Sequence, residues 1–108
     1  MAIVLKTPEE IESLRDVNCL LCDILNRLEY FVCPGRTPRQ ISERFTAMVR
    51  QAGATPIFLG YQRSADARPF PASLCVSVNP VVTHGVPDER LLRDGDLVNL
   101  DAGLGLRG

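Results

Sequence analysis

The chain has 108 residues, 45% of them hydrophobic and 23% charged, which is enough apolar material for one core and too little length for a second complete domain. Twelve basic residues stand against thirteen acidic ones, and the arginines are scattered, so a net charge of −1 gives no electrostatic basis for nucleic acid or an anionic membrane as the main partner. No apolar run approaches the ~20 residues that span a bilayer, and the opening MAIVLKTPEE turns acidic too early for a secretory signal, which points to the cytosol.

Thr7-Pro8-Glu9-Glu10 predicts a helix start at Pro8, because Thr7 can cap, proline suits the first helical position and Glu10 stands where a capping box places its acid. Ile11, Leu14, Val17, Leu21, Ile24, Leu25 and Leu28 then recur at spacings of three and four, drawing an apolar stripe through about Glu29 that must bury against something. Cys33-Pro34-Gly35 breaks the pattern. Thr37-Pro38-Arg39-Gln40 repeats the capping logic, Ile41, Phe45, Met48 and Val49 form a second stripe, and Gly53 can close that helix in the left-handed conformation.

Cys19 and Cys22 have CxxC spacing, but they fall inside the first helical pattern, and the chain lacks a second Cys or His pair to complete a structural zinc site. Reduced cysteines packed on the helix are the reading they support, with Cys33 and Cys75 also unpaired.

Between residues 54 and 71 the periodicity disappears, and Pro56, Gly60, Pro69 and Pro71 punctuate a loop long enough to point to function; Arg63-Ser64-Ala65-Asp66-Ala67-Arg68 within it is polar and expected at the surface. Residues 73–78 read as a strand, with Leu74, Val76 and Val78 alternating against Ser73, Cys75 and Ser77. Asn79-Pro80 stops it. The turn Asp94-Gly95 leads into a second strand over residues 96–101, where Leu97, Asn99 and Asp101 share one face and Val98 and Leu100 the other. The fold class is α+β, two helices on a mainly antiparallel sheet.

Asp101 ends that strand among apolar neighbours, where a carboxylate is costly unless paired, hydrogen-bonded or bound to a cation. Carboxylates suit Mg, Mn and similar cations, and imidazole widens the choice to Zn, Fe and Co. By themselves the two residues leave alternatives open: His84, the only histidine, is as readily a hydrogen-bonded loop residue as a catalytic one, and Asp101 as readily a turn cap as a ligand.

The order of segments narrows this. Gly60-Tyr61, then Phe70-Pro71-Ala72-Ser73-Leu74-Cys75-Val76-Ser77-Val78-Asn79, then Val81-Val82-Thr83-His84-Gly85-Val86-Pro87, then Leu92-Arg93-Asp94-Gly95-Asp96-Leu97-Val98-Asn99-Leu100-Asp101 resembles the type I methionine aminopeptidases, and LKTPEEIESLR looks like the first helix of that family. The resemblance implies the N-terminal half of a pita-bread fold, with residues 1–108 a single partial domain. It also implies a cytosolic enzyme that removes the initiator methionine from nascent proteins when the next residue is small. Asp101 matches a metal-ligating aspartate of the family. His84 matches a catalytic histidine outside the metal cluster that contacts substrate. Tyr61, Phe70 and Cys75 fall where family members line the pocket for the methionine side chain, and His84 joins them in substrate binding. The implied cofactor is a pair of divalent ions, Co, Mn, Fe or Zn; the implied partners are nascent peptide N-termini and the ribosome, with no direct nucleic-acid contact and no membrane.

The resemblance implies further ligands, a second aspartate just past Gly108 and a histidine and two glutamates further on, so the 108-residue chain is expected to be inactive alone. Residues 63–68 are an insertion relative to the family pattern and separate Tyr61 from Phe70 more than usual. Phe58 and Thr83 stand where some members carry cysteine. Two rival readings accompany this one. The tail Gly103-Leu104-Gly105-Leu106-Arg107-Gly108 spells GxGxxG after a strand, but a dinucleotide fingerprint needs a helix opening at those glycines and an acid ~20 positions later. The other rival is an inactive remnant or interaction module of the same fold. A proline-specific aminopeptidase is disfavoured by the SVNxVVxHGxP segment.

Overall fold

The two Thr-Pro pairs open helices where the sequence places them. In the computed structural model, which describes residues 2–106, α1 spans Pro8–Glu29 and α2 spans Pro38–Gln51. Both carry complete capping boxes. Thr7 Oγ1 accepts from the Glu10 amide at 3.1 Å while the Thr7 amide donates to Glu10 Oε2 at 2.7 Å, and Thr37 with Gln40 repeats this at 3.1 and 2.9 Å. Two orphan amides at each helix start are thereby satisfied within four residues of sequence, so these boundaries need no tertiary help. Gly53, with φ +75°, ends α2 in the left-handed region.

The stripe on α2 is the centre of the core: Ile41, Phe45 and Val49 are fully buried and Met48 nearly so. Burying each such side chain stabilises by about 1.5–3 kcal/mol. On α1 only Ile24 and Leu28 are fully enclosed, with Val17, Leu20, Leu21 and Leu25 packed at the edge of the same cluster. The upper part of the predicted stripe finds no cover among the described residues, and Ile11 and Leu14 remain 45% and 47% exposed. The cysteines also differ from expectation. Cys19, Cys22 and Cys33 are exposed free thiols rather than packing residues, and only Cys75 is buried.

Four strands follow: β1 Thr55–Pro56, β2 Leu74–Val78, β3 Val98–Ala102 and β4 Leu104–Gly105. They form two antiparallel pairs, β1 with β4 and β2 with β3, where the sequence suggested one sheet. β1 lies inside the stretch read as loop. Its Pro56 is tolerated because a two-stranded pair has only edge strands, where proline's missing N–H is admitted. β4 is built from Leu104 and Gly105 of the tail, so Gly105 serves a strand and not the opening of a nucleotide-binding helix. A Cβ at Gly103 would stand 3.0 Å from both Ile57 and Phe58, so the glycine lets this strand lie against the loop. The last two tail residues, Arg107 and Gly108, lie outside the described residues.

In the second pair, Cys75 faces Asp101, Ser77 faces Asn99 and Val76 faces Leu100. Alternation then divides the pair into two faces. Leu74, Val76 and Val78 with Val98, Leu100 and Ala102 join the helical core. Cys75, Ser77, Asn99 and Asp101 make the other face. Every residue of β2 is buried, the polar ones included, because a loop as well as a helix covers it.

Candidate active site

That covering loop carries His84. The Gly85 amide donates to Ser77 Oγ at 3.0 Å, and the Gly85 carbonyl accepts from the Val76 amide at 3.0 Å, so the loop lies along the edge of β2. A Cβ at Gly85 would come within 2.8 Å of Ser77 Cα and closer still to the Val76 carbonyl, which is backbone and cannot yield. Only glycine allows this approach. His84 itself has φ +56°, a conformation uncommon for a residue with a side chain and held here by the bonds on its neighbour. The imidazole is thus presented by a clamped backbone.

The opposite end of the loop is fixed too. Asn79, with φ +54°, ends β2; its amide donates to the Leu97 carbonyl at 2.9 Å and its side-chain oxygen accepts from the Leu97 amide at 2.9 Å. Asn79 Nδ2 donates to Asp96 Oδ1 at 3.0 Å, and Asp96 Oδ2 accepts from the Arg93 amide at 2.8 Å. The hydrogen bond from Asn79, then that from Arg93, holds the Asp96 carboxyl below the usual aspartate range. This network sets the register in which β3 brings Asp101 opposite Cys75.

Tyr61 and Phe70 are nine positions apart in sequence, yet the structure brings them together. The Phe70 amide donates to the Tyr61 carbonyl at 2.8 Å and the Gly60 amide to the Phe70 carbonyl at 2.9 Å, closing the intervening segment at its neck. The insertion therefore projects without parting the two aromatic residues.

One open cavity of about 400 Å³ results, lined by Phe58, Tyr61, Phe70, Cys75, His84 and Asp101 together with Arg63, Ala67 and Arg68 of the insertion. All five residues singled out in the sequence meet there. Phe58 and the two arginines were not assigned to it beforehand; their nearness in sequence to Tyr61 and Phe70 is the signal that points to them. Burial, and secondarily the charge of Asp101, pushes the Cys75 thiol up from its ordinary value, which keeps it a neutral, soft wall.

Asp101 differs from the expectation of a buried carboxylate needing rescue. It is exposed on the cavity side and makes no salt bridge or side-chain hydrogen bond among the described residues. Its case rests on position, opposite Cys75 and beside His84 in one cavity, and not on a desolvation penalty. Among the described residues no three His, Cys, Asp or Glu side chains gather where they could hold a metal ion, so the residues described do not by themselves fit a metal centre. Among the same residues no helix is long and apolar enough to cross a membrane.

Comparison with known proteins shows the family and the fold. Residues 12–108 match the model of metallopeptidase family M24. The methionine aminopeptidase of Escherichia coli K12 is 39% identical over 103 residues, covering 94% of this chain and 37% of that protein. That of Clostridium perfringens is 40% identical over 106 residues, covering 98% and 40%. The crystal structure of methionine aminopeptidase from Rickettsia prowazekii superposes with a TM-score of 0.87 at 28% identity, over 95% of this chain and 39% of that one. The Thermotoga maritima enzyme gives 0.87 and 28% over 98% and 41%. The chain thus spans about two fifths of the length of the relatives it matches, and its helices and antiparallel pairs are part of a pita-bread fold. With nearly the whole sequence matched and the fold shared, the chain belongs to metallopeptidase family M24, where it is similar to the methionine aminopeptidases.

Proposed function

We propose that this chain forms the methionine-recognising part of a methionine aminopeptidase, acting on nascent proteins whose second residue is small. The observation that carries the reading is one cavity in which the side chains of Phe58, Tyr61, Phe70 and Cys75 meet an imidazole and a carboxylate. Tyr61 and Phe70 offer aromatic edges and Cys75 a neutral sulfur, an environment in which a thioether packs favourably. Phe58 extends the same wall. His84, projecting from its clamped loop, is positioned to donate a hydrogen bond to the carbonyl oxygen of the bond that breaks and to stabilise charge developing there. The wall formed by Phe58, Tyr61, Phe70 and Cys75 is uncharged, and a methionine side chain fits its chemistry.

Asp101 is the one metal ligand proposed from this chain, toward a pair of divalent ions chosen from Co, Mn, Fe or Zn. An exposed carboxylate with no internal partner suits that role, and a working centre needs ligands that the described residues do not contain. Residues 1–108 act, on this reading, as a single partial domain in the cytosol, meeting nascent chains at the ribosome. The isolated 108-residue chain is expected to release no methionine from Met-Ala-Ser.

The test is a chimera in which this chain replaces the matching segment of the Escherichia coli enzyme. Metal-dependent release of methionine from Met-Ala-Ser, lost on His84→Ala with the fold intact, is the expected result. A folded chimera inert on that peptide, beside an active parent, overturns the reading.

A further inference from the structure

We infer that residues 63–68 form a cationic subsite at the rim of the cavity, taking peptides that carry carboxylates just beyond the small second residue. The inference rests on the reading of the cavity as a methionine pocket and adds a selectivity that the apolar wall cannot supply.

Four observations lead to it. First, the segment is anchored to the site and not merely near it, since its neck is the Tyr61 and Phe70 backbone pair that forms the pocket wall. Second, Arg63 and Arg68 both line the cavity that holds His84 and Asp101. Third, the loop is braced from within: Gln62 Nε2 donates to the Ala67 carbonyl at 2.7 Å, and the Ala67 amide donates to the Ser64 carbonyl at 3.1 Å. The two arginine backbones are therefore fixed relative to the pocket. Fourth, among the described residues neither arginine has an ion-pair partner, so both guanidiniums are free to meet a carboxylate of the ligand.

The charges at the rim can be enumerated. Arg63 and Arg68 are cationic, Asp66 lies between them in sequence but does not line the cavity, and Asp101 is the only acid that does. Two guanidiniums against one carboxylate leave the lining net positive toward whatever part of the peptide leaves the pocket. Methionine fills the aromatic wall, the next residue sits at His84, and the chain beyond must cross the rim. Guanidinium groups meet carboxylates through paired, charge-assisted hydrogen bonds, so acidic residues there are favoured and lysines opposed.

The test uses the 108-residue chain itself and follows amide shifts by NMR while titrating amidated Met-Ala-Asp-Glu, Met-Ala-Ser-Ser and Met-Ala-Lys-Lys, with acetyl-Ala-Asp-Glu as a probe lacking methionine. The acidic methionine peptide is expected to bind about three- to tenfold more tightly than the neutral one at low salt, with the difference shrinking at high salt, as exposed ion pairs do. Arg63→Gln with Arg68→Gln removes the preference for the acidic over the neutral methionine peptide, while the double lysine variant keeps part of it. Equal affinities for the acidic and neutral methionine peptides overturn the subsite and leave the methionine pocket standing. Binding of acetyl-Ala-Asp-Glu as tight as Met-Ala-Asp-Glu, with Met-Ala-Ser-Ser unbound, keeps a cationic rim and overturns the pocket.

Discussion

Gly85→Ala is the substitution that most severely tests how His84 is held. The added methyl would lie 2.8 Å from Ser77 Cα and closer to the Val76 carbonyl oxygen, so either β2 or the loop must move. Forcing one extra carbon into a packed site costs about 1–3 kcal/mol. Separation also strains two hydrogen bonds, from the Gly85 amide to Ser77 Oγ and from the Val76 amide to the Gly85 carbonyl, each contributing about 1 kcal/mol net. The expected loss is about 2–5 kcal/mol, which in a domain of this size lowers the thermal midpoint by roughly 10–30 °C. Gly53→Ala is the control: its φ of +75° is also left-handed, but nothing stands within 4 Å of the added carbon, so the expected loss is about 1 kcal/mol. Thermal unfolding followed by circular dichroism measures both. Equal, small losses in the two variants would refute the clamp.

Two further outcomes follow from the polar groups around the site. Cys75 should alkylate far more slowly than the exposed Cys19, Cys22 and Cys33 in mildly alkaline buffer, because burial first and the Asp101 charge second raise its thiol and suppress the thiolate. Asp101→Asn removes only the second cause, so Cys75 labelling, read by peptide mass spectrometry, should rise a few-fold and remain the slowest; an unchanged rate would show that the facing carboxylate does not act on the thiol. Asp96, whose carboxyl is held low in the folded chain, contributes stability that is present above the ordinary aspartate value of 3.8 and lost as pH falls through its lower folded value. Asp96→Asn should therefore flatten the acid limb of urea midpoints plotted against pH; a limb as steep as the parent's would mean that other carboxylates carry it.

What could be read from the sequence was what local chemistry decides. The capping boxes at Thr7 and Thr37 involve partners three residues apart, and both helices begin where those pairs place them. The turn at Asp94-Gly95 and the stop at Asn79 are similarly short-range, and the alternation of β2 gave its core face correctly. What escaped was decided by contacts distant in sequence. β1 and β4 are two residues each, contain a proline and a glycine, and exist only because they pair across about fifty residues. The burial of Ser77 and Cys75 depends on a loop arriving through Gly85, which alternation cannot reveal. The stripe on α1 is longer than the surface the described residues offer it, so Ile11 and Leu14 stay exposed although the pattern asked for burial. The site residues were legible through their motif order, but their convergence was not. An insertion that appeared to part Tyr61 from Phe70 is closed by two backbone hydrogen bonds, and that closure is what brings Arg63 and Arg68 into the cavity.

The account depends on a methionine side chain entering one particular cavity. A Met-Ala-Ser peptide carrying a 13C-labelled terminal methyl, mixed with the chain and examined for nuclear Overhauser contacts, reads this directly. The methyl should contact the rings of Phe58, Tyr61 and Phe70 and the β-protons of Cys75. Contacts instead to the exposed Tyr30 and neighbouring Phe31, or to no ring at all at saturating peptide, would contradict it.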